Sequence, residues 1–90
     1  MKKLSEHAKQ LMLYGARNSG TFVEGYYLMQ DEFYVDEAKD MFEFAQFIDN
    51  KTGGAGPKNI DMMYQAFKNP SDGDLQKQVQ ELADKISRIR

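Results

Sequence analysis

Apolar residues recur along this chain at steps of three and four, the spacing of one face of a helix. Leu4, Ala8, Leu11 and Gly15 keep that step, with Met12 widening the stripe. A first helix is predicted, with Ser5 as its N-cap and a stop within Gly15-Ala16-Arg17-Asn18-Ser19-Gly20, where small and turn-forming residues gather. Thr21-Phe22-Val23-Glu24 has the capping-box spacing, so a second helix should start there, carrying Phe22, Tyr26, Met29 and Phe33 on one side. Gly25 lies inside it and opposes helix by about 1 kcal/mol relative to alanine. Val23 to Leu28 shows no alternation of period two that would favour a strand.

From Val35 onward, Val35, Ala38, Phe42 and Ala45 form one stripe and Met41, Phe44 and Ile48 its neighbour, which marks a core helix with Asp36 and Glu37 at its start and Lys51 at its end. A kink or short break is expected between Tyr34 and Asp36. Ile60, Met63, Tyr64 and Phe67 predict a short fourth helix that Asn69-Pro70 ends, because proline disfavours helix at the residue before it. After a turn at Ser71 to Asp74, with Asp74 as N-cap, Leu75, Val79, Leu82, Ile86 and Ile89 run at steps of four and three. The expected fold is therefore all-α, a single-domain bundle of four to five short helices.

The stretch Thr52-Gly53-Gly54-Ala55-Gly56-Pro57-Lys58-Asn59 raises the question of a phosphate-binding loop. A P-loop requires Gly-x-x-x-x-Gly-Lys-Ser/Thr between a strand and a helix, and here the spacing fails, Pro57 removes an amide and a helix comes before it. An EF-hand reading of Asp49 to Ile60 fails as well, since lysine, glycine and isoleucine stand at ligand positions. The stretch 52–59 reads as a hinge, with a helix stop at Gly53 and Gly54 and a restart at Pro57.

Ninety residues make one domain with a thin core. With no cysteine, disulfides, thiolate metal sites and a cysteine nucleophile are excluded. The positive start has no apolar run behind it, no segment has the length to span a bilayer, and a cytoplasmic protein without a membrane partner is expected. The net charge of -2 is unevenly spread. Residues 1–20 hold four bases and one acid, residues 21–49 one base and eight acids, and residues 50–90 seven bases and five acids. The most aromatic segment is thus the most acidic, which argues against direct DNA binding through it.

Candidate chemistry is sparse. Glu32, Asp36, Asp40 and Glu43 follow at steps of four, four and three, so their carboxylates would share one side, but no histidine joins them and a solvated acidic face is the simpler reading. His7 is the single histidine and Ser5, Ser19, Ser71 and Ser87 have no nucleophile-elbow context. No catalytic residue, metal ligand or cofactor loop is assigned, and an enzyme is not expected. Tyr14, Arg17, Ser19, Thr21 and Tyr26 suggest a second kind of site, in which Arg17 and free amides at the start of the second helix hold an anion while a tyrosine stacks on a base.

Eleven Phe and Tyr and six Met are more than a thin core hides, and these types are enriched at interfaces. Two functional expectations result. The first is a small regulatory protein, such as an accessory or inhibitor protein of the kind phages make, which binds a protein partner or itself, as a homo-oligomer, through Tyr27, Glu32, Phe33, Tyr34, Asp36, Asp40 and Glu43. The alternative is an oligomer that sequesters a small anionic, nucleotide-like ligand through the Tyr14 group.

Overall fold

The computed structural model describes residues 4–52 and 59–89, apart from the side chain of Ile89, and its element order is helical throughout. Helix α1 spans Glu6–Ser19, α2 Phe22–Met29, α3 Val35–Thr52, α4 Ile60–Lys68 and α5 Gly73–Ile89, with a 3₁₀ turn at Gln30–Glu32. This is the all-α bundle that the periodicity predicts.

Local chemistry explains most of the boundaries. The Ser5 side chain accepts from the Ala8 amide at 3.1 Å, and Thr21 accepts from the Glu24 amide at 3.1 Å, so both expected N-caps are in place. Helix α1 stops within the expected Gly15 to Gly20 cluster, at Ser19. It ends where Gly20 adopts φ 93° and its amide donates to the Ala16 carbonyl at 2.8 Å, a left-handed C-cap that suits glycine. The break between α2 and α3 falls at Phe33 and Tyr34, after the 3₁₀ turn, so the two acidic segments are separate helices. In α5 the capping acid is Asp72, which accepts from the Leu75 amide at 3.1 Å, while Asp74 sits inside the first turn and favours the helix through its dipole.

The expected hinge at 52–59 lies, from Gly53 to Lys58, outside the described residues. Its flanks are defined: Thr52 ends α3, buried, with its hydroxyl donating to the Ile48 carbonyl at 2.8 Å. Helix α4 begins at Ile60, later than the expected restart at Pro57, because the Asn59 side chain accepts from the Met62 amide at 3.1 Å and caps it.

Helix α1 packs chiefly on α2 and α2 on α3, while α5 closes over α3 and α4. The core is a single layer of Met12, Phe22, Met41, Phe44, Ile48, Met63 and Val79 with small residues between them. Overall extents of 33 × 31 × 18 Å leave room for about two helix layers in the short direction, given interaxial spacings of 8–10 Å. Every helix therefore keeps an outer face. In α3 the buried stripe is Met41, Phe44, Ala45 and Ile48; Ala38 and Phe42 are half-buried and Val35 is outside, since the helix turns only one of its two predicted stripes fully inward.

The α1–α2 hairpin is unusually close. A Cβ on Gly25 would lie 2.5 Å from the Gly15 carbonyl carbon, and one on Gly15 would lie 2.7 Å from the Gly25 oxygen. The two backbones touch, so the residue that weakens α2 by propensity is the one that lets α1 dock. Among the described residues no helix is long and apolar enough to cross a membrane.

Candidate interaction surface

The outer face of α2 follows from its register. Glu24, Tyr27, Leu28 and Asp31 fall at i, i+3, i+4 and i+7, away from the buried Phe22 and Gly25, and all four are exposed. At the α2–α3 junction Tyr34 is 71 % and Val35 91 % accessible. Tyr27 and Leu28 are more than half accessible, so four large apolar side chains stand in solvent within nine residues of sequence.

Inner rings hold this surface in shape. Tyr26, half-buried, stacks on Phe33 with centroids 5.7 Å apart and meets Tyr27 edge-on at 5.8 Å. Phe42 of α3 lies 5.2 Å from the Tyr26 ring and 5.6 Å from the Tyr27 ring, tying α2 to α3. Phe33 is itself buried, which corrects its expected place on the partner surface: it stacks on the half-buried Tyr26 ring. Contacts of this kind add about 0.5–1.5 kcal/mol each beyond area burial.

Glu32, Asp36 and Glu43 are exposed as expected, and the 3₁₀ turn adds Asp31. Asp40 departs from them. It turns toward α4, accepts from the Tyr64 hydroxyl at 2.7 Å and pairs with Lys68, whose ammonium also sits 5.5 Å above the Tyr64 and Phe67 rings. Burial first, and then the bond to Asp40, push the Tyr64 hydroxyl well above its ordinary pKa. Asp40 is thus a strut between α3 and α4, and the four carboxylates do not converge. A recess of about 180 Å³ beside this strut is lined by Leu4, Ser5, Asp36, Glu37, Met41 and the strut residues. Among the described residues no group of three or more acidic, histidine or cysteine side chains could hold a metal ion.

The Tyr14 group meets a different fate. The amides of Phe22 and Val23 at the start of α2 donate to Asp49 Oδ1 and Oδ2 at 2.9 and 2.8 Å, so a carboxylate of α3 already fills the place where an external anion was expected. The Ser19 hydroxyl is engaged locally, 2.7 Å from the Gly15 carbonyl and 2.9 Å from that of Thr21. Thr21 is committed to its cap, Tyr26 to the ring cluster, and Tyr14 and Arg17 are exposed on α1. Sequence reasoning missed Asp49: its distance along the chain from Phe22, 27 residues, carries no local signal.

What the geometry defines is a two-layer helical bundle with an apolar and acidic outer surface on α2 and the start of α3. No protein-family model, curated protein or solved structure matches the chain.

Proposed function

We propose that this protein is a non-enzymatic interaction protein that binds and modulates a protein partner through the α2–α3 surface. One observation carries the reading: Tyr27, Leu28, Tyr34 and Val35 are all exposed within nine residues of sequence, Tyr27 rests on the packed rings of Tyr26 and Phe42, and exposed carboxylates stand in the same stretch. Isolated apolar residues on a surface need no explanation, whereas a cluster rimmed by polar groups is the usual form of a contact site. Tyrosine combines large area with few rotatable bonds, so holding it in an interface costs little entropy. The amide-rich entrance of α2 is occupied by Asp49, which takes away the main support for an anion-binding reading.

The test is capture of a partner from cell extract by the immobilised chain, compared with a Tyr27→Ser/Tyr34→Ser variant of equal helicity. Loss of the captured protein in the variant is the expected result. Equal capture by both chains would refute the assignment of this surface.

A further inference from the structure

Resting on that reading, we infer that the α2–α3 surface takes a cationic protein segment: an apolar anchor flanked by lysine or arginine. The charge layout carries the inference. From residue 21 to residue 38 there is no lysine, arginine or histidine, while Glu24, Asp31, Glu32, Asp36 and Glu37 stand in the same stretch. The ion pairs among the described residues lie elsewhere, joining Lys9 to Glu6 and Asp61 and Lys68 to Asp40. Among the described residues the exposed Glu24, Asp31 and Glu32 therefore enter no ion pair, and an approaching surface supplies their countercharge.

The same layout decides against other occupants. A second copy seated by a two-fold axis brings this face against itself, and acid then meets acid. Nucleic acid and anionic lipid headgroups are repelled for the same reason. A basic amphipathic segment satisfies both features at once, its apolar side chains covering Tyr27, Leu28, Tyr34 and Val35 and its cations meeting the rim.

The experiment titrates the full chain with two fluorescent helical peptides of about 20 residues, identical at the apolar positions and carrying either lysine or glutamate at the others. The lysine peptide is expected to bind at least about tenfold more tightly, and its affinity to fall as added salt shortens the screening length from about 10 Å toward 3 Å. Asp31→Lys/Glu32→Lys should abolish that preference, while Glu81→Lys/Asp84→Lys on α5, with the same change in net charge, should leave it intact. Equal binding of both peptides, no binding of the lysine peptide, or equal effects of the two charge pairs would overturn the cationic assignment. So would self-association in light scattering that Asp31→Lys/Glu32→Lys alters. If both peptides bind alike yet Tyr27→Ser/Tyr34→Ser abolishes binding, only the charge inference falls. If that variant binds as the parent does, the surface itself is wrong.

Discussion

Replacing Gly25 by alanine sets two known effects against each other. Alanine is the better helix former by about 1 kcal/mol, so propensity alone predicts stabilisation of α2. The added Cβ, however, would lie 2.5 Å from the Gly15 carbonyl carbon and 2.6 Å from the Ala16 nitrogen. Ordinary contact between carbons begins at about 3.5 Å, so α1 and α2 must separate by about 1 Å. Both obstructing groups are backbone, and no rotamer change relieves the clash. The separation loosens Ala8, Met12, Ala16 and Phe22, all buried in the same layer. A 1 Å gap forfeits up to about half of each dispersion contact. Overpacking costs about 1–3 kcal/mol, and this site belongs at the upper end. Subtracting the propensity gain leaves a net loss of about 2 kcal/mol, or a Tm lower by about 8–16 °C for a domain of this size.

Urea unfolding followed by circular dichroism measures the difference directly. Gly73→Ala serves as the control: a Cβ there would meet nothing within 4 Å, and the substitution should be neutral or stabilising by up to about 1 kcal/mol. Gly15→Ala should cost about as much as Gly25→Ala, and the double variant less than the sum, because the first substitution already parts the helices. If Gly25→Ala proves as stable as the parent or more so, the close-approach argument is wrong.

Three further outcomes rest on the contacts described. Asp49→Ala should cost about 1–2 kcal/mol in urea unfolding, since two amides at the start of α2 lose their acceptor, and hydrogen exchange at Phe22 and Val23 should quicken. Tyr64 holds its proton more tightly in the folded chain, so its contribution to stability is complete below its ordinary value of 10.0 and is lost progressively as pH rises above it; ultraviolet titration should show one of the five tyrosines ionising late, and Tyr64→Phe should remove that component. Tyr34→Ala, at a side chain 71 % accessible, should change stability by no more than about 0.5 kcal/mol in the same unfolding assay, so any loss of partner binding reports the surface and not the fold.

Local sequence determined which segments are helical and where most of them start, because caps and apolar steps act within one or two turns: Ser5 and Thr21 cap as their neighbours require, and Asn69-Pro70 ends α4. Composition likewise foretold that rings would outnumber buried places, and Tyr27 and Tyr34 are among those left outside. The tertiary structure alone decided which rings those are, since Phe33 and Tyr34 are adjacent in sequence but one is buried beneath Tyr26 and the other stands in solvent. It also decided the roles of Asp40 and Asp49, whose partners on α4 and α2 lie 24 to 28 residues away. Gly25 shows the division most plainly: read locally it is a weak point in a helix, and only the packing of α1 against α2 turns the missing side chain into the condition for their contact.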